Sequence, residues 1–353
     1  MGRPLPEIAA EAVDQRHLRT LLDSVAEKRF GSPCEVTVVS AEPCGRRAFL
    51  YSARLSKAGS PEKVPWRVIG KVYETPEAGQ RSFEVMRALW EQGFAPGAPA
   101  AVRIPEPYGY VPDLRLLLME EALGAPLKKL VKKSLARPDH MRLLARALLT
   151  LHRSGPIFTQ PFTIEHHLAI RCGSLHEALA EAYPDLADAI QRIVQAARES
   201  ETRVGYGAFT LAHGDFHLGQ VHVEAERIWI LDLDPLHVGD PAYDVAMVFV
   251  ALKQCEQKTG ASSYIHGLRD AFVSAYFSDA DWDIAGRVPL HEALIHLKRA
   301  CKRLRWQDEA GWQDLIPLQI RQSVACLEAW RGLTAPRSVA DLTLLYERCP
   351  AAV

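Results

Sequence analysis

Residues 211 to 250 constrain this chain more than any other stretch. They read LAHGDFHLGQVHVEAERIWILDLDPLHVGDPAYDVAMVFV. The pattern parses as a short strand, a polar loop, a β-hairpin, a second loop and a helix that is apolar on all sides. Such a helix has no face to give to water, so it belongs at the centre of a folded body. The polar segments before it carry Asp215, the amide Gln220 five residues later, and Asp232 twelve residues beyond that. Asp232 and Asp234 alternate at strand period and therefore point to one face.

The character of the chain changes near residue 123, and the change predicts two lobes, 1–122 and 123–353. The first reads as mostly strand. VTVVS, AFLYSARL and WRVIGKVY are β-branched or aromatic and bounded by Gly, Pro and Ser. One helix interrupts them, over PEAGQRSFEVMRALWEQG, with Phe83, Met86, Leu89 and Trp90 on one face and a stop at Gly93. A Pro/Gly-rich loop runs to Pro107, and RLLLME returns as a buried strand. Beyond Gly124 the chain turns helical. Asp139 is placed to cap a helix with the stripe Met141, Leu144, Leu148 and Leu151, and Asp185 to cap one with Leu186, Ile190, Ile193 and Ala197. The last hundred residues carry helical stripes at Leu290 to Leu304 and Leu318 to Trp330.

Composition removes several classes of function. Lys and Arg number 42 against 43 Asp and Glu, a net charge of -1, so no overall field draws the chain to nucleic acid or anionic lipid. The 7 cysteines are scattered with no C-x-x-C pair, which argues against a disulfide framework or zinc cage and for a reducing cytoplasm. The N-terminus has no apolar signal core, and no apolar run approaches the ~20 residues that span a bilayer. Neither nucleic acid nor a membrane is an expected partner.

Phosphoryl transfer asks for what residues 211–240 supply: a carboxylate to take or orient the proton of a nucleophile, and hard oxygen ligands for Mg²⁺ on nucleotide phosphates. H-G-D-x-H-x-x-Q, then L-D-x-D, then G-D-P-A-Y-D-V-A resembles the signature of the aminoglycoside phosphotransferase family of small-molecule kinases. The likeness covers roughly residues 36 to 252. It implies a two-lobed, protein-kinase-like α+β fold, with a small, mostly β N-lobe and a larger, mostly α C-lobe. It further implies ATP or GTP as phosphoryl donor, Mg²⁺ as cofactor, Asp215 as catalytic base, Gln220 and Asp232 as metal ligands, and Asp244 as a buried acceptor tying the central helix to the catalytic loop. Asp215, Gln220 and Asp232 are then expected around one magnesium-nucleotide. Gln220 stands where the family more often has Asn, a variant similar to maltose- and glucosamine-type sugar kinases.

Folds of this kind also need a strand lysine on the α- and β-phosphates and a helix carboxylate that orients it. Lys71 in VIGKVY and Glu84 one helix later fit, although an ordinary surface ion pair explains the same residues. LLLMEEALG would be the hinge, with main-chain groups near Glu120 and Ala122 reading the nucleotide base. Residues 42–48, EPCGRRA, hold one glycine in place of a glycine-rich phosphate loop. His213 is expected to hold its loop by hydrogen bonds, and Asp234 suits either the metal region or a solvated strand end. Asp240 and Asp244 open a helix, where capping alone accounts for them.

Two other readings fit parts of the pattern. His213, His217 and His222 with nearby aspartates permit a metal-dependent hydrolase, and a pseudoenzyme could bind nucleotide without turnover. The short span between Asp232 and Asp240 leaves little platform for a peptide, so a small-molecule hydroxyl is the expected acceptor, whether a sugar, an aminoglycoside or a related natural product. Residues 287 to 305 carry Arg287, Lys298, Arg299, Lys302, Arg303 and Arg305 against Glu292. That excess favours a neutral or anionic substrate, unless it is only a solvated basic face.

Overall fold

A computed structural model describes residues 15–31, 34–57, 62–95, 101–155, 157–307, 311–332 and 336–349. The chain divides into two compact units. One holds residues up to 99, 103–123 and 229–234; the other holds 100–102, 124–228 and 235–353.

The N-terminal unit is built on a five-stranded antiparallel sheet. Its order is Cys34–Pro43, Ala48–Lys57, Val64–Val72, Leu116–Glu120, Pro107–Val111. Leu116, Leu117 and Leu118 are fully buried, as expected of a strand with neighbours on both sides. Gly70 sits under the ring of Tyr51 from the neighbouring strand. A Cβ there would lie 2.5 Å from the ring, so the residue before Lys71 is glycine because an aromatic ring occupies the place of its side chain.

Three features of this unit differ from expectation. A second helix, Gln15–Phe30, buries Leu18, Leu22, Val25 and Ala26 on the sheet, a spacing of one helical face. Pro107–Val111 is a strand despite its proline and glycine, because it is an edge strand and needs only one ladder of hydrogen bonds. Residues 229–234, assigned by the sequence boundary to the second lobe, group here instead. Their polar side chains bond to Lys71, Tyr73 and Ser82, and Arg103 stacks on Trp229 at 5.6 Å. The helix Pro76–Leu89 buries Ser82, Val85, Met86 and Leu89, while Phe83 and Trp90 are only half-buried.

The C-terminal unit is helical. Its centre is the helix Ala242–Thr259, in which every residue from Ala242 to Val250 is buried. Pro138–His152 runs beside the helix Ser262–Tyr276, and Asp283–Trp306 packs on Trp312–Arg331. Two expected caps are displaced. Pro138 begins its helix with Arg137 at the cap, so Asp139 lies inside the first turn and pairs with Arg142. Asp185 lies in a 3-10 turn, and the following helix starts at Ala187. The apolar stripes are buried at Met141, Leu144, Leu148 and Leu151 in one helix and at Ile190, Ile193 and Ala197 in the other, while Leu186 lies half-buried in the turn before its helix. Among the described residues no helix is long and apolar enough to cross a membrane.

Candidate active site

In the C-terminal unit a three-residue strand, Thr210–Ala212, pairs with His237–Gly239 and delivers the chain into the loop His213 to Gln220. The loop is held from beneath by Asp244, which is fully buried on the first turn of the central helix. Its carboxylate accepts the amide hydrogens of His213 at 2.7 Å and Gly214 at 2.8 Å, and stands 3.2 Å from Nε2 of His152. Burial alone would raise the pKa of this carboxyl. The hydrogen bond and charge of His152, the charge of His213 and the Gly214 amide outweigh it, and the net shift is downward. Asp240 does the capping work instead, accepting from the Ala242 amide at 3.0 Å. It also receives two bonds from Arg287, at 2.7 and 3.0 Å, and stands 3.0 Å from His291.

The loop then bonds to itself. The Asp215 amide donates to Nδ1 of His213, the His217 amide to the Asp215 carbonyl, and the Gly219 amide to Nδ1 of His217. His213 is thus fully buried and occupied in holding the turn. Gly214 has φ +78°, and a Cβ there would lie 2.3 Å from the guanidinium of Arg171. That guanidinium donates to the Gly214 carbonyl, so the position needs glycine for both its backbone angle and its missing side chain.

These bonds leave the Asp215 carboxylate turned outward with 34% of its side chain exposed and one close cation, Lys298, at 3.6 Å. His217 lies on its other oxygen at 3.8 Å. Burial pushes the Asp215 carboxyl up, but Lys298, His217, His213 and Arg171 together hold it below its ordinary value. The residue is therefore an ionised, reachable proton acceptor at neutral pH.

In the N-terminal unit, Asp232 and Asp234 face Lys71. Nζ of Lys71 donates to Asp232 at 2.6 Å and to Asp234 at 2.8 Å. Burial alone would discharge this ammonium, and the two carboxylates outweigh it and raise its pKa. Asp234 is further fixed by the hydroxyls of Tyr73 and Ser82, each 2.8 Å from its Oδ1. Asp232 holds a left-handed backbone, φ +57°, which aspartate tolerates better than most residues. The Asp232 and Asp234 carboxylates offer hard oxygens, the donor type that magnesium takes.

The remaining expected residues are placed as follows. Glu84 is exposed and accepts from Gln80 at 2.8 Å; the ammonium of Lys71 goes to the two aspartates, so the expected Lys71–Glu84 pair is not formed. The amide of Glu120 donates to the Glu106 carbonyl at 2.9 Å, and Ala122 lies just before the chain leaves this unit at Leu123. In the loop 44–47 the amides of Cys44 and Gly45 both turn to the Ala48 carbonyl, at 2.9 and 3.2 Å. The turn itself occupies these two amides. Asp215 and Gln220 belong to the C-terminal unit and Asp232 to the N-terminal one.

The hydrolase alternative finds no support. Among the described residues the one group of potential metal ligands is Glu292, Cys326 and Cys349, which contains none of His213, His217 and His222. Arg171, Tyr243, Tyr73 and Ser82 carry no expectation from the sequence, and Lys298 enters there only as one of a basic run. Tyr243 lies inside the GDPAYDVA motif and was reachable from it. The others carry no local signal, because what distinguishes them is the partner that folding brings.

Residues 62–286 match the pattern of the phosphotransferase enzyme family. A comparison with curated protein sequences finds no match. Similar solved structures include an ethanolamine kinase from Plasmodium vivax, with 13% identity, 90% of each chain covered and a TM-score of 0.56. A choline kinase from Streptococcus pneumoniae has 13% identity over 89% of this chain and 99% of its own, with a TM-score of 0.54. An ADP-bound aminoglycoside phosphotransferase has 14% identity over 86% and 96%, with a TM-score of 0.51. At such identities the likeness is one of fold, the two-lobed, protein-kinase-like α+β class.

Proposed function

The chain belongs to the phosphotransferase enzyme family, and from that premise we propose that it moves the γ-phosphoryl group of ATP or GTP to a hydroxyl of a small molecule, with Asp215 as base. The observation that carries this reading is the Asp215 carboxylate, ionised, outward-facing and set on a loop whose amides are pinned by Asp244. In the step, the acceptor hydroxyl gives its proton to Asp215 as its oxygen bonds to the γ-phosphorus. The bond from that phosphorus to the β–γ bridging oxygen breaks, and its electron pair leaves with the nucleoside diphosphate. Gln220 and Asp232 are the proposed ligands of Mg²⁺, which when bound neutralises phosphate charge. Lys71 is proposed on the α- and β-phosphates, with Asp234 holding its ammonium in place. Glu120 and Ala122 are proposed at the nucleotide, through main-chain groups at the base. The cytoplasm is the proposed place of work; among the described residues no helix is long and apolar enough to cross a membrane.

A screen with labelled ATP and GTP against sugars, aminoglycosides and choline-like alcohols tests the reaction. Asp215→Ala should keep nucleotide binding and lose on the order of 10²-fold or more in turnover; unchanged turnover removes Asp215 from the mechanism. Asp232→Ala should weaken magnesium-dependent nucleotide binding, and equal affinity with and without metal counts against its role.

A further inference from the structure

The helix Asp283–Trp306 presents three cations on one face: Lys298, Lys302 and Arg305, spaced by four and three residues. Lys298 reaches the candidate base: with only 8% of its side chain exposed, it lies 3.6 Å from Asp215 and 3.1 Å from the Tyr243 hydroxyl. Arg305 donates to the Gly173 carbonyl at 3.4 Å, two residues beyond Arg171, whose guanidinium grips the Asp215 loop at Gly214. Lys302 lies between them, half-buried, with its ammonium 5.3 Å from the Trp306 ring.

Two other charges of this helix are matched by ion pairs. Arg287 has Asp240, and Glu292 has Lys253 at 2.5 Å. Among the described residues no carboxylate forms an ion pair with Lys302, and Lys298 has only Asp215. The excess is felt locally. Burial lowers the pKa of the Lys302 ammonium, and Lys298, Arg171 and Arg299 lower it further, against Asp215 alone. Cations four residues apart on a helix repel one another, and a bound anion would relieve what Asp215 leaves of that repulsion.

We propose that Lys298 and Lys302 form an anion subsite beside Asp215, and that the acceptor is a hydroxylated small molecule carrying a carboxylate or phosphate. This rests on the phosphotransferase reading and narrows its substrate. The anionic group sets the acceptor against Lys302, while its hydroxyl turns to Asp215. A cationic alcohol would be repelled from the same place.

A matched series with one ring and different charge tests it: glucose, glucuronate, glucose 6-phosphate and glucosamine. Calorimetry on the full chain, with Mg²⁺ and a non-hydrolysable ATP analogue, should show the two anions binding at least about tenfold more tightly than glucose, and glucosamine more weakly than glucose. Lys302→Glu should abolish that order and raise KM for the anions about tenfold or more while leaving kcat within about threefold; Lys302→Arg should keep it. Equal binding across the series, or a Lys302→Glu variant that loses nucleotide affinity and keeps the anion preference, overturns the subsite. Phosphorylation of glucose or glucosamine without anion preference sinks the subsite and spares the phosphotransferase. Tight anion binding with no transfer to any acceptor from either nucleotide does the reverse.

Discussion

Each unit immobilises one aspartate, and the two use different kinds of partner. Asp244 in the C-terminal unit is fully buried and held mainly by main-chain amides, those of His213 and Gly214. Asp234 in the N-terminal unit leaves 31% of its side chain exposed and is held by side chains, those of Lys71, Tyr73 and Ser82. Main-chain donors survive every substitution except proline and cannot turn to water from a buried site. Side-chain donors can be lost singly, and a part-exposed carboxylate can recruit water in exchange.

The sharpest way to break the comparison is to delete each acceptor. Asp244→Ala strands two buried amides and the buried His152, so it should cost about 3–5 kcal/mol in a denaturant titration. A cost under about 1 kcal/mol would mean that the loop does not depend on Asp244.

Acid offers a second contrast. His237, His296 and His167 are buried in the C-terminal unit, and burial, followed by neighbouring cations, holds them neutral; His237 falls to about 4 and His296 to about 3. Their folded pKa values lie below the unfolded value, so the unfolded chain takes up protons first. Stability is therefore complete above about pH 6.5 and falls as pH drops toward 4, for His237 by on the order of 3 kcal/mol. Among the described residues the N-terminal unit holds no buried histidine. Hydrogen exchange on the full chain should show amides of the C-terminal unit losing protection between pH 6.5 and 4.5 before those of the five-stranded sheet. The opposite order contradicts the assignment.

The smallest effect is expected at Asp234. Asp234→Ala should cost about 2 kcal/mol and Ser82→Ala about 1 kcal/mol, since Tyr73 remains. Equality of Asp234→Ala with Asp244→Ala would erase the distinction between the two modes of support.

What was legible in the sequence follows from periodicity and spacing. The central helix announced its burial because no face of it could meet water, and the buried stripe from Met141 to Leu151 is set by the 3.6-residue repeat. The helix Gln15–Phe30 is equally legible in Leu18, Leu22, Val25 and Ala26, which repeat on one helical face. Pro107–Val111 was not legible, because its composition argues against a strand and only an open sheet edge admits it.

The sequence by itself determined which groups are chemically able to act: a loop aspartate with an amide five residues on, two aspartates at strand period, a lysine in an apolar strand. Covalent spacing along one strand or turn dictates such neighbours. Tertiary structure alone decided the partners. It gave Lys71 to Asp232 and Asp234 instead of Glu84, Asp244 to the loop instead of its own helix end, and Lys298 to Asp215 across 83 residues of chain. Electrostatic choice depends on distance and burial in space, and neither is written in the order of residues.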